Sequence, residues 1–296
     1  MNEGSAPASP PGSPPTVAWA GAFASLHFAV LLFGFAGLFG KWLALPPATI
    51  VLGRTVFASV ALWAALRLSR EPRGRFEWQL AAGGALLALH WVAFFQAIQI
   101  ASVAIGLLGF ATFPLFVLLL ESLQQGRKLR PIEWTTAAFV TLGLLLIVPE
   151  FRIENRMVQG LLWGVGSGLT FALLAVGNRV LVSRRPAGEV AFWQNACAAV
   201  CLLPLVAIAP ALPSARDLLL LLVLGVFCTA LAHTLFIRSM RALSAHTASV
   251  VAALEPVYGI ALAWLVLGEV PGARTLAGAA LIVGAAVFAT WRAPKA

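Results

Sequence analysis

Residues 101–121, ASVAIGLLGFATFPLFVLLLE, and residues 243–263, LSAHTASVVAALEPVYGIALA, lie on each other without a gap at an offset of 142. Ser102 falls on Ser244, Pro114 on Pro256 and, further along, Gly126 on Gly268. One extra residue in the first copy then aligns the apolar stretch ending at Gly143 with the one ending at Gly284. Upstream the match weakens, but Pro46 sets against Pro186, which puts Arg54 opposite Gln194. The chain reads as one unit used twice.

What that unit is follows from composition. Of 296 residues, 60% are hydrophobic and 10% charged, where soluble domains carry roughly 25% charged residues. The apolar residues form ten blocks near the length of ~20 residues that a bilayer demands. These blocks fall at roughly 17–40, 46–67, 77–98, 101–121, 132–149, 158–180, 188–208, 217–238, 245–268 and 272–291. Five blocks fall in each copy. Five is odd, so the second copy enters the membrane from the opposite side. The expected fold is an all-α membrane protein: ten transmembrane helices in two inverted five-helix repeats, residues 17–149 and 158–291, around a central cavity. Inverted repeats belong typically to transporters, because each half can close one side of a shared site.

Residues 1–16 are rich in Pro, Ser and Gly and predict a disordered tail. The tail has no Lys or Arg before the first apolar block, unlike a cleaved signal peptide. The net charge is +9, and its placement explains it. With the N-terminus in the cytoplasm, the inner connections carry Arg67, Arg70, Arg73, Arg75, Arg127, Lys128, Arg130, Arg179, Arg184, Arg185, Arg238 and Arg241. The short C-terminus, 292–296, adds Arg292 and Lys295. The outer connections carry only Lys41, Arg152, Arg156, Arg216 and Arg274. This is the positive-inside bias of a bacterial inner-membrane protein with both termini cytoplasmic. It leaves no reason to invoke nucleic acid. Cys197, Cys201 and Cys228 suggest neither disulfides nor a zinc site. HExxH, a P-loop and close carboxylate pairs are missing, and GVGSG around Ser167 is not a nucleophile elbow. No cofactor or metal is expected, and movement of a substrate would be passive or coupled to an ion gradient such as protons.

Candidate site residues are those that hydrocarbon tolerates poorly. Glu255 is the only carboxylate well inside a block, at a cost of at least ~2.5–3.5 kcal/mol on insertion scales. It can meet a substrate ammonium, carry a coupling proton, or hydrogen-bond the backbone freed by Pro256. Arg54 either snorkels outward or reaches a carboxylate in the cavity. Trp91 is too deep for the interfacial belt and pairs with His233 across the repeat. His90, Phe95, Gln194 and Tyr258, the chain's single tyrosine, complete the substrate-binding set. Pro114 and Pro256 each remove a backbone N–H inside a span and disturb the carbonyls of Phe110 and Ala252, as packing kinks or as hinges. Gln96 and Gln99 have Arg238 and Arg241 as mates, gates or interface anchors. Gly160, Gly164 and Gly168 make a smooth stripe for close helix packing.

The second copy's ALEPVYGIALAWLVLGEVPGARTLAGAALIVGA resembles the EamA-type signature of the drug/metabolite transporter superfamily. FPLFVLLLE in the first copy is similar to the same block, although Arg127 stands where the second copy has Glu269. The resemblance covers roughly residues 20–292. Length and layout also resemble the YddG type of aromatic amino-acid exporter. The resemblance implies a basket in which spans 1–4 and 6–9 enclose the cavity and spans 5 and 10 stand outside, and it implies export of amino acids or other metabolites. Trp91, Phe95 and Tyr258 would stack on an apolar or aromatic side chain, and Arg54, His90, Gln194 and Glu255 would meet the carboxylate and ammonium. The rival reading is a multidrug exporter for lipophilic cations using Glu255. A membrane-embedded enzyme is more remote.

Overall fold

The computed structural model describes residues 16–69, 75–126, 128–147, 152 and 154–291. The expected tail up to residue 15, the C-terminus 292–296, and Arg70, Arg73 and Arg127 lie outside the described residues.

The described residues form helices and connections, with no strand. The helices are α1 (Thr16–Trp42), α2 (Pro47–Ser69), α3 (Trp78–Ile100), α4 (Val103–Phe110), α5 (Phe113–Gln124), α6 (Pro131–Ile147), α7 (Arg156–Val182), α8 (Ala187–Ile208), α9 (Ala215–Gly225), α10 (Ala232–Ser239), α11 (Ala245–Ala252), α12 (Glu255–Leu267) and α13 (Ala273–Trp291). A π-helical turn, Val226–Leu231, joins α9 to α10. Joined across their breaks, these give eight segments long and apolar enough to cross a membrane among the described residues. Two shorter apolar helices, α6 and α13, occupy the remaining blocks. In hydrocarbon every backbone group must find a partner within the protein, and a continuous apolar block of this length finds its partners within itself as a helix. Large apolar side chains such as Val60, Leu123, Leu162, Leu203 and Leu265 stay exposed, as a lipid-facing surface requires.

Two segments break at matching places. α4 ends at Phe110 and α5 starts at Phe113, with Pro114 in its first turn. α11 ends at Ala252 and α12 starts at Glu255, with Pro256 in its first turn. A proline in a first turn loses nothing, because that N–H has no helical partner anyway. The breaks therefore place both prolines where they are tolerated. The Thr112 hydroxyl donates to Gly109 O at 2.8 Å, beside the Thr112 amide that donates to the same carbonyl at 3.3 Å.

Close packing rests on glycine. α6 and α13 meet with Gly143 and Gly278 each facing the other's carbonyl oxygen, and a Cβ on either would lie under 3.0 Å from it. The stripe Gly160, Gly164 and Gly168 on α7 faces, in turn, Ala101 after α3, Gly106 and Gly109 on α4, and Thr112 at the break.

The ends of the bundle are tied by polar contacts that recur in both halves. Gln99 donates to Leu45 O at 2.9 Å, and Arg241 donates to Arg185 O at 3.1 Å. Gln99 and Arg241 are mates at the 142 offset, and Leu45 and Arg185 at the 140 offset that matches Pro46 to Pro186. Lys41 in the last turn of α1 donates to Ala101 O at 3.2 Å, and Arg179 in the last turn of α7 donates to Met240 O. The Lys41 ammonium also lies 3.9 Å from Glu269. Glu269 in turn accepts from Val103 N, the first amide of α4, at 3.1 Å.

Arg185 is the densest of these ties. It pairs with Glu189 at 2.7 Å and with Glu77, and donates to Arg75 O. The hydrogen bond to Glu77, working against the opposing effect of burial, holds its guanidinium pKa above the ordinary value. Arg185→Ala would leave the Glu189 carboxylate, 2% exposed, without this cation. The expected loss is about 3 kcal/mol or more, read as a lowered thermal midpoint in detergent. An unchanged midpoint would show that the cluster contributes nothing to stability.

Candidate functional site

The elements converge on one small cavity in the interior. Phe33 and Ala36 of α1, Arg54 of α2, His90, Trp91 and Phe94 of α3, Phe110 of α4, Phe171 of α7, His233 of α10 and Glu255 of α12 line it. α6 and α13 contribute no side chain. Both segment breaks deliver a lining residue at their ends: Phe110 closes α4 and Glu255 opens α12. A break turns a helix end toward the interior, where its polar groups have a cavity to face.

Arg54 is the one cation of the lining and is 1% exposed. It points inward and does not snorkel. Its Nε donates to Thr229 Oγ1 at 2.8 Å and its Nη2 to Cys228 O at 3.3 Å. Both partners belong to the π-helical turn, where the wider repeat frees a carbonyl from the ordinary helical ladder; such turns are common at functional sites. The Thr229 hydroxyl itself donates to Leu224 O at 2.7 Å. The guanidinium carbon stands 3.9 Å from the centroid of the Trp91 ring, a cation–π contact worth about 0.5–2 kcal/mol. A guanidinium has five N–H groups. The Thr229 and Cys228 bonds take two of them and leave the Nη1 edge for a ligand.

Trp91 also meets His233 edge to face, with centroids 5.9 Å apart. The two positions matched by the 142 offset thus touch across the cavity. His233 is 1% exposed and neither ring nitrogen has a hydrogen-bond partner. His90 is different. Its Nδ1 lies 2.8 Å from Ser167 Oγ and 3.0 Å from Ser167 O, and its ring stacks on Phe171 at 4.6 Å. One of its nitrogens is already satisfied, which makes it more a part of the wall than a free donor. Glu255 is 3% exposed. It faces the same cavity as Arg54, and among the described residues it makes neither an ion pair with Arg54 nor a hydrogen bond to the backbone around Pro256.

Three expected lining residues stand elsewhere. Phe95 is fully buried behind Arg54, its ring 5.5 Å from the guanidinium carbon. Tyr258 packs beside Gly34 of α1, because the helix turn that carries Glu255 inward carries Tyr258 toward a neighbour. Gln194 hydrogen-bonds Asn178 in a different cavity, between α3, α7 and α8. The repeat put it opposite Arg54 in sequence without putting it in the same pocket. The aromatic wall of Phe33, Phe94, Phe110 and Phe171 went unmarked, since nothing local separates those rings from other core phenylalanines. Among the described residues no group of three or more His, Cys, Asp or Glu could hold a metal ion.

The free volume is about 20 Å³, room for about one water, against the ~300 Å³ or more of ordinary small-molecule sites. The cavity is too small for a metabolite in this conformation. Any larger occupant requires the helices around it to part.

Helices clad in apolar side chains around a buried, charged, aromatic-walled cavity define a multi-span membrane transporter. Family comparison makes this specific. The chain belongs to the EamA-like transporter family, whose model matches residues 20–148 and again 158–291. It is a transporter and not an enzyme. It is 30% identical over 253 residues to the pseudopaline exporter CntI of Pseudomonas aeruginosa strain UCBPP-PA14, covering 82% of this chain and 86% of that one. It is 26% identical over 277 residues to the uncharacterized transporter YxxF of Bacillus subtilis, covering 90% and 89%. A solved crystal structure at 21% identity superposes with a TM-score of 0.73 over 94% of this chain and 99% of that one, which speaks for the fold alone.

Proposed function

We propose that this chain is a secondary transporter that exports small zwitterionic metabolites, amino acids including aromatic ones foremost, by alternating access through the central cavity. The observation that carries the reading is the cavity's pairing of charges. Arg54 offers its free edge to a carboxylate, Glu255 offers an anion to an ammonium, and aromatic rings fill the space between. His233, with no partner of its own, supplies a further polar contact. The P. aeruginosa relative is, by its name, an exporter of pseudopaline, and that supports the outward direction.

In this reading ten spans form two inverted halves, 17–149 and 158–291, in a bacterial inner membrane with both termini cytoplasmic, and Pro114 and Pro256 are the hinges. Support comes from the family model matching each half, the matching breaks, the contact of Trp91 with His233, and the twin bonds of Gln99 and Arg241. A half that opens at its own break would admit substrate from one side while the other half's ties stay made. Proton coupling or passive exchange both fit a chain whose single cavity carboxylate is Glu255.

A multidrug exporter for lipophilic cations would use Glu255 alone. Arg54, held over Trp91 in the same small cavity, repels such a cation and argues against it. Purified protein in liposomes is expected to give saturable uptake of labelled phenylalanine or tryptophan, competed by other amino acids and not by a lipophilic cation such as tetraphenylphosphonium. Absence of saturable uptake across an amino-acid panel, with and without a proton gradient, would sink the proposal.

A further inference from the structure

A second cavity, of about 250 Å³, lies between the first half of α3, the last half of α7, and α8. Its walls are apolar, chiefly Leu86, Leu173, Leu174 and Leu181, with Glu77 and Arg184 among its charged lining. One polar feature interrupts them. Gln194 Nε2 donates to Asn178 Oδ1, and both residues line the cavity while being 0% and 1% exposed. The bond uses one half of each amide. Asn178 Nδ2 and Gln194 Oε1 remain buried with no partner. Turning both amides over exchanges their roles and leaves the same inventory of one free donor and one free acceptor. Two unpaired amide groups in so apolar a place are costly unless something completes them.

The complement of a neutral donor beside a neutral acceptor is a group with the same pair reversed, which is an amide. A cationic head would find no free counter-charge, since Glu77 is already paired with Arg185, and the lining's cation for an anionic head, Arg184, is exposed whereas the amide pair is buried. The volume, just under that of ordinary ligand sites, suits a body about the size of a phenyl group with a short linker. We propose that this cavity is a second ligand site, separate from the central one, which takes a neutral carboxamide head on an apolar body. It stands one helical turn from the central cavity along the same two helices, Leu86 before His90 on α3 and Leu174 after Phe171 on α7.

The proposal holds whether or not amino acids are carried, because its probe bears no charge. Tritiated 3-phenylpropanamide is titrated onto the full-length protein in nanodiscs, with empty nanodiscs subtracted. Saturable binding is expected, with methyl 3-phenylpropanoate, which has an acceptor but no donor, at least about tenfold weaker. Gln194→Leu removes half of the amide pair and Gly177→Leu fills the cavity. A Cβ at Gly177 meets nothing within 4 Å, so that variant blocks by volume even if Gln194→Leu misfolds. Each is expected to weaken binding about tenfold or more, and Arg54→Gln to leave it unchanged. No saturable binding, equal binding of the ester, full binding by Gly177→Leu, or loss in Arg54→Gln would each overturn the assignment. The last would place the probe in the central cavity.

Discussion

Arg54→Gln lowers the initial rate of phenylalanine uptake into liposomes by about 100-fold or more, while the protein remains folded and reconstitutes. The size follows from what the side chain holds. A carboxylate seated on the free guanidinium edge makes charge-assisted hydrogen bonds, each contributing about 1.5–3 kcal/mol in a site that excludes water. Losing two of them amounts to two orders of magnitude or more. Arg54→Lys keeps the charge but has no planar fork to span a carboxylate and cannot hold Thr229 Oγ1 and Cys228 O together. It is expected to recover only part of the rate, within about tenfold of Arg54→Gln. The folded state loses less than the function does. Cys228 O is left without its donor, at about 1–3 kcal/mol for a buried acceptor, and the Thr229 hydroxyl keeps its bond to Leu224 O. Thermal midpoint and uptake should therefore separate, with a few degrees lost in the first and nearly all of the second. Uptake at the original rate in Arg54→Gln would remove the central cavity from the transport path.

Arg54 was marked in the sequence by the rule that hydrocarbon rejects a lone charge, which left open whether it snorkels outward or enters the cavity, and the same rule marked Glu255. His233 was found through the repeat, as the mate of Trp91, and the structure places the two rings in contact. Local signals of this kind are legible because they are set by one residue against the solvent it must live in. The stripe of glycines on α7 was legible for the same reason, since a helix surface without side chains has one evident use. What was not legible was convergence. Phe33, Phe94, Phe110 and Phe171 come from four helices, and each taken alone is an unremarkable apolar residue in an apolar block. Gln194 shows how far sequence level and rotation differ. The repeat put it level with Arg54, but its rotation about the helix axis aims it at Asn178. Tyr258, three residues from Glu255, was turned away by a similar margin. The π-helical turn that gives Arg54 its partners leaves no mark in VFCTAL that a regular helix would not also bear.

Gly164→Leu is expected to abolish assembly of the bundle, with almost no monodisperse protein recovered after solubilisation. A Cβ at Gly164 would lie 2.9 Å from Gly106 O and 2.9 Å from Gly109 Cα, which are backbone atoms with no rotamer to escape through. α4 and α7 would have to separate along a contact that carries Phe110 on one side and Phe171 on the other, so the cavity wall opens with the helices. Overpacking of flexible side chains costs about 1–3 kcal/mol, and a clash between backbones exceeds that. Gly164→Ala, which adds only the offending Cβ, is expected to fold with a lowered thermal midpoint and reduced uptake. Gly166→Leu is the control for helix propensity and hydrophobicity: a Cβ there meets nothing within 4 Å, and yield and uptake should stay near the parent level. The three variants stand within one turn of the same helix and differ in what lies opposite. Recovery of Gly164→Leu at the yield of Gly166→Leu would mean that α4 and α7 do not touch along this stripe, and the cavity built on that contact would have to be drawn again.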